Sequence, residues 1–137
     1  MGGEGSGQAG KRQLSSRQLG SRQLSSTGRD GEAIAAGHLE QLGYRIIERN
    51  YRCRYGEIDL VATVDEFLVF VEVKTRTPGQ PLHPALSVTK RKRNKVRQLG
   101  EYYRAQHAQL ARQPRFDVIA VVLNPDGPKV EHIVNAF

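Results

Sequence analysis

Residues 56–74 read GEIDLVATVDEFLVFVEVK, and the fold follows from how this stretch pairs with itself. Two runs rich in β-branched and aromatic residues, 57–62 and 67–74, flank Asp65-Glu66. Both are too short for typical helices, so the stretch reads as two adjoining strands with a tight reversal. Side chains alternate faces along a strand, so Glu57 shares a face with Asp59, and Glu72 shares one with Lys74. A turn centred on Asp65-Glu66 opposes Val64 to Phe67, Asp59 to Glu72 and Glu57 to Lys74. Opposed residues of an antiparallel pair hold their Cβ atoms about 5 Å apart. Two carboxylates that close repel unless positive charge lies between them, and a divalent cation meets that need. Asp-Glu lacks the glycine that a two-residue hairpin prefers, so a longer loop is expected. A four-residue loop about the same centre keeps the pairing, whereas an odd-length loop without a bulge sends the two acids to opposite faces.

An acid ending one strand, Asp59, and Glu72-Val73-Lys74 in the next resemble the PD-(D/E)xK nuclease superfamily. More closely, Gly56-Glu57-Ile58-Asp59 with Phe70-Val71-Glu72-Val73-Lys74-x-Arg76 resembles the YraN-like family of small, largely uncharacterised bacterial proteins. That family is similar in fold to archaeal Holliday-junction resolvases. Gly31-Glu32, Arg49-Asn50, Arg115-Phe116-Asp117 and Ala136-Phe137 extend the resemblance over residues 31–137. Ile58 stands where the superfamily's name has proline, a change the family shares. The resemblance implies an α/β, restriction-endonuclease-like core, a mixed sheet flanked by helices. It also implies a metal-dependent, endonuclease-like protein that acts on or binds DNA, branched DNA included.

On that reading Asp59, Glu72, Lys74 and Glu32 are catalytic, and Mg²⁺ or Mn²⁺ is held by Asp59, Glu72 and the Val73 carbonyl. Lys74 would orient or deprotonate a metal-bound water. Two rival readings stand beside it. Glu72 with Lys74, or Glu57 with Lys74, forms a buried ion pair that only fixes strand register, although several charges inside apolar strands are expensive for structure alone. Alternatively, the domain is a non-catalytic nucleic-acid-binding module that keeps the fold as a scaffold.

At 137 residues the chain suits one domain and a tail. A net charge of +7 favours a polyanionic partner. The lone cysteine, Cys53, excludes an intramolecular disulfide and fits a reducing compartment. No apolar stretch is long enough to span a membrane, and the N-terminus lacks a signal-peptide core. The expected location is the bacterial cytoplasm, with nucleic acid as partner, DNA favoured over RNA. Relatives of the fold often dimerise, so a homodimer is an open expectation that no stripe of residues localises.

Residues 1–28 are rich in Gly, Ser, Gln and Arg and repeat Arg-Gln-Leu at Arg12, Arg17 and Arg22. With so little apolar content they read as a disordered, basic, low-complexity tail, leaving 29–137 as the nuclease-like domain. Lys11, Arg12, Arg17 and Arg22 against Glu4 give the tail +3 of the chain's +7. A helix is expected after Thr27 or Asp30, ending at Gly43, with Ala35, Leu39 and Leu42 on one face. Glu32 carries two readings: an acid of the first turn stabilised by the helix dipole, or, from the resemblance, a third carboxylate of the site. His38 reads as a partly exposed helix residue and Cys53 as a plain thiol.

Residues 44–50 form a first strand, and 51–55 (YRCRY) a basic, aromatic connection suited to stacking on bases or equally to a solvated loop. Residues 75–84 read as loop. Lys90, Arg91, Lys92, Arg93, Lys95 and Arg97 then open a helix reaching about residue 109, with Val96, Leu99, Tyr103 and Leu110 on one face. The resemblance matches Lys92 to a family lysine and Lys95 to a neighbouring basic position. Residues 115–123 form a nearly continuous apolar strand, 124–128 a turn and 130–134 a last strand. Asp117 reads as a structural acid at a strand start, though within reach of the site. Nucleic-acid contacts are expected from Lys90, Lys92, Arg93, Lys95, Arg76 and Arg54.

Replacing Lys90, Arg91, Lys92 and Arg93 with alanine should weaken DNA binding across sequences. It should also flatten the dependence of log K on log salt, by about 0.9 for each phosphate no longer neutralised. Alanine is a good helix former, so stability should hardly move. Anisotropy titrations at several salt concentrations check this, and unchanged affinity and slope would make the run a solvated face.

Overall fold

The computed structural model describes residues 19–79 and 90–136. Its elements are α1 (Leu19–Gln41), β1 (Arg45–Cys53), β2 (Gly56–Val64), β3 (Phe67–Arg76), α2 (Lys90–Gln106), a 3₁₀ turn (Ala108–Leu110), β4 (Gln113–Asn124) and β5 (Gly127–Ile133). The strands form one five-stranded sheet in sequential order. Only β3 and β4 are parallel, joined by the crossover that contains α2; the other neighbours are antiparallel. This is an α/β fold with a mixed sheet, consistent with a restriction-endonuclease-like core. Among the described residues no helix is long and apolar enough to cross a membrane.

Helix α1 begins at Leu19, ahead of the expected Thr27 or Asp30. The rest of the expected tail lies outside the described residues. At the other end Gly43 N–H donates to the Glu40 carbonyl (3.1 Å) and Tyr44 N–H to the Leu39 carbonyl (3.0 Å). With Gly43 at φ 92°, this is the 6→1, 5→2 closure that stops a helix.

Residues Gly31–Phe137 make one compact unit, in which both faces of the sheet are covered. On one, Ala35, Ala36 and Leu39 of α1 pack on Leu60, Val69, Val71, Ile119 and Val121. On the other, Leu99 and Tyr103 of α2 pack on Ile58, Val61, Leu68, Phe70 and Phe116. Strand β4, flanked by β3 and β5, is buried continuously from Phe116 to Val122, as burial on both faces requires.

Several boundaries differ from expectation. β1 runs on through Tyr51 to Cys53, leaving only Arg54 and Tyr55 as the turn. Tyr51 is buried, its ring 4.8 Å from Tyr103 and its hydroxyl donating to Gln106 (2.6 Å), so this tyrosine is part of the core. β3 continues through Thr75 and Arg76, because its pairing with β4 extends to Val122; residues 80–84 of the expected loop lie outside the described residues. The Asp65-Glu66 reversal is a two-residue turn rather than a longer one, with Val64 paired to Phe67 and Asp65 at φ 50°. Aspartate tolerates the left-handed conformation that glycine otherwise supplies. β5 starts earlier than expected, at Gly127, paired with Asn124.

Asp117 is fully buried on the α1 side. It accepts from Arg115 Nε (3.0 Å) and Nη2 (2.8 Å), from His132 Nε2 (2.8 Å) and from the Asn135 backbone N–H (2.9 Å). Arg115 also donates to the Tyr44 hydroxyl (2.6 Å). One carboxylate thus ties β4, β5 and the chain's end, the structural role expected of it, and it belongs to this network rather than to the cleft described below. Burial pushes its carboxyl up, but the bonds from His132, Arg115 and Asn135 outweigh burial and hold it below the ordinary value.

Asp117→Asn should cost about 3–5 kcal/mol at neutral pH, because Arg115 is left buried without its counter-charge. A depressed native pKa stabilises above the unfolded value, and that stabilisation is lost as pH falls through the native one. Urea unfolding as a function of pH should therefore show the gap between wild type and variant closing only in acid.

Candidate active site

β2 and β3 pair from Val64↔Phe67 as far as Leu60↔Val71 and no further. Up to that point the register is the one that opposes Asp59 to Glu72. Beyond it the strands part, and the expected Glu57–Lys74 pair does not form. Glu57 instead lies across from Arg52 of β1, with their charged groups 3.6 Å apart. The parting coincides with a twist in β2. Ile58 and Val61 both pack on the α2 side, although three residues apart in a regular strand they would face oppositely. Leu60 faces α1. Asn50, which the register places across from Asp59, takes φ 53°. Asp59 sits at this break, where its side chain replaces a lost ladder bond: Oδ2 accepts the Val73 N–H at 2.8 Å.

The wedge opens as a cleft of about 330 Å³ whose floor includes Asp59 and Glu72 and whose α2 wall includes Lys92, Lys95 and Leu99. Glu72 and Lys74 follow Phe70 at two-residue intervals and so share its α2-facing side. Glu72 Oε2 lies 2.8 Å from the Lys74 ammonium and 3.0 Å from that of Lys92. Glu32 is half-buried on α1. Its place is set by Gly31, where a Cβ would overlap the Thr75 hydroxyl, so only glycine lets α1 approach β3 this closely.

The two floor carboxylates differ sharply. Burial pushes Asp59 up to about 7; the Val73 N–H opposes that, while the charges of Glu32, Glu72 and Glu57 add to it. Burial also raises Glu72, but the hydrogen bonds and charges of Lys74 and Lys92 outweigh it and hold that carboxyl below its ordinary value. The site therefore offers one compensated carboxylate beside one that lacks positive charge.

Of the expected nucleic-acid contacts, Lys92 and Lys95 line the cleft. Lys90 and Arg93 lie on α2 outside its lining, Arg54 is exposed on the β1–β2 turn, and Arg76 donates to the Thr75 carbonyl (2.9 Å). The Lys92–Glu72 contact had no signal in sequence spacing, since its partners lie twenty residues apart on different elements. His38 meets the edge of the His132 ring (6.4 Å) and Cys53 is a free thiol. Among the described residues no three His, Cys, Asp or Glu side chains gather closely enough to cage a metal. Asp59 and Glu72 at an open cleft nevertheless fit Mg²⁺, which takes one or two carboxylates and keeps water or phosphate in its remaining positions.

A raised native carboxyl pKa destabilises as pH climbs from the unfolded value to the native one. Asp59→Asn, which keeps an acceptor for Val73 N–H, should therefore be more stable than wild type in EDTA. Its advantage should be absent at pH 4, grow to pH 7 and level off above, reaching roughly 2–4 kcal/mol at about 1.4 kcal/mol per unit. Chemical denaturation across that range measures it.

The model of the uncharacterised protein family UPF0102 matches residues 31–121, a span that holds Glu32, Asp59, Glu72, Lys74 and Lys92. A UPF0102 protein of Geobacter sulfurreducens is 48% identical over 108 residues, covering 78% of this chain and 84% of its own length. One of Geobacter metallireducens is 46% identical over 112 residues, covering 82% and 92%. One of Moorella thermoacetica is 50% identical over 97 residues, covering 71% and 81%. The chain belongs to the UPF0102 family, the YraN-like group that its motifs resemble.

Proposed function

We propose that the cleft is a metal-dependent phosphodiester-cleaving site acting on DNA, and that the protein is an endonuclease of the PD-(D/E)xK type. One observation carries the reading. Asp59 and Glu72 share a cleft where β2 and β3 part, with Lys74 bonded to Glu72 and a basic helix as the wall. Asp59, Glu72 and the Val73 carbonyl would hold Mg²⁺ or Mn²⁺. Bound there, the ion supplies Lewis-acid polarisation of the phosphate and a more acidic water. Lys74, fixed at the Glu72 carboxylate, orients the attacking water and counters charge growing on phosphorus. Glu32 adds negative potential at Asp59 from the α1 side, which favours a cation. Lys92 and Lys95 meet backbone phosphates without reading sequence.

The hold of both Lys74 and Lys92 on Glu72 supports a second reading, a nucleic-acid-binding module that keeps the fold as a scaffold, since Glu72 already has its counter-charge.

Thermal shift and a cleavage assay separate the two. A ligand specific to the folded state stabilises it by about 2.7 kcal/mol at a hundred times its dissociation constant. Saturating Mn²⁺ should raise the melting temperature of wild type, while Asp59→Asn or Glu72→Gln should remove most of the rise. Lys74→Ala should keep the rise and lose cleavage of branched, nicked or single-stranded substrates. No Mn²⁺ shift and no cleavage by wild type would leave the scaffold reading.

A further inference from the structure

The β1–β2 turn and the second half of α2 bring together an aromatic and cationic group that the cleavage chemistry does not use. Tyr55 and Tyr102 meet edge to face, ring centroids 5.1 Å apart. The Arg54 guanidinium lies 5.0 Å from the centre of the Tyr55 ring, and its Nη2 donates to the Tyr55 hydroxyl at 2.9 Å. Both rings are partly exposed and Arg54 is fully at the surface. Their apolar edges pack on the α2-side core, which fixes them in place. An exposed guanidinium held beside an anchored ring offers a surface on which a flat, electron-rich heterocycle stacks.

The group is continuous with the cleft. Gly56, next to Tyr55, lies against Leu99 and Lys95 of α2, and both of these line the cleft. Lys92, Lys95, Leu99 and Tyr102 follow one another at helical spacing along a single face. From Lys92 to Tyr102 the helix rises about 15 Å, at 1.5 Å per residue. That length accommodates a few nucleotides of extended strand. Nearby acids do not spoil the charge match, since Glu57 is paired with Arg52 at 3.6 Å and Glu101 with Arg104 at 2.8 Å.

We propose that Arg54, Tyr55 and Tyr102 form a stacking platform for an unpaired nucleobase a few nucleotides from the cleft, so that the substrate is DNA with a single-stranded segment. The claim rests on the cleft being a DNA site. A base inside continuous duplex is stacked on its neighbours and cannot lie on an external platform without being extruded. A single strand offers its bases freely, and aromatic platforms hold them with little regard to sequence.

The test is anisotropy with labelled oligothymidine and with a duplex of equal length, in EDTA so that cleavage plays no part. Tyr55→Ala should weaken single-strand binding about tenfold and duplex binding less than twofold, with Tyr55→Phe close to wild type. Arg54→Lys keeps the charge at an exposed position where folding is not at stake, and should lose single-strand affinity selectively. Equal weakening of both DNAs, or of neither, overturns the platform, as does a wild type that binds neither. Cleavage in Mn²⁺ is scored separately. Cleavage without the Tyr55 and Arg54 effects sinks the platform alone, whereas those effects without cleavage leave a single-strand-binding surface beside an inactive cleft.

Discussion

The Asp59 carboxylate accepts the Val73 amide proton at 2.8 Å, at the place where β2 and β3 stop pairing, and the rest of the site depends on that substitution. A buried N–H that loses its ladder partner must find another or destabilise the fold by about 1–3 kcal/mol. Because a side chain fills this role, the strands can separate while remaining satisfied. The wedge they leave is where α2 presents its lysines and where Glu72 is reached from solvent. An uninterrupted hairpin would have placed Glu57 against Lys74 and closed the cleft.

Charge is distributed unevenly within that wedge. Glu72 is held by two ammonium groups, one from its own strand and one from α2. Asp59 is left with one amide and the repulsion of its acidic neighbours, and its carboxyl rises to about 7. A protein selected for stability alone would have replaced such an aspartate, since a neutral amide side chain could accept the same amide proton. At the opposite face Asp117 shows the structural solution, a buried carboxylate surrounded by Arg115, His132 and the Asn135 amide. The contrast between these two aspartates separates a stabilising site from one that sacrifices stability to leave room for a ligand.

Much of this was legible in residues 56–74. Strand alternation and the Asp65-Glu66 reversal give the register that brings Asp59 towards Glu72, and the continuous apolar run of β4 announces a strand covered on both faces. What was not legible depends on contacts between elements distant in sequence. Lys92 is one of six cations within residues 90–97; the resemblance marks it, but only the docking of α2 shows that its ammonium meets Glu72. Tyr51 has the local character of a loop aromatic, because nothing nearby in sequence shows that β1 extends to meet Tyr103. The Asp117 network joins residues from four places in the chain and has no periodicity to betray it. Residues 19–28 carry no apolar pattern that would announce their helix.

The central claim is that the parting strands leave a cation site between Asp59 and Glu72. Crystals soaked in Mn²⁺ test it most directly, through anomalous scattering at the metal's absorption edge. The account predicts a single strong peak within about 2–2.5 Å of carboxylate oxygens of both Asp59 and Glu72, a normal range for divalent cations on oxygen, with the Lys92 ammonium moved off Glu72. No anomalous peak in the cleft at saturating Mn²⁺, with Lys74 and Lys92 still bonded to Glu72, would contradict it.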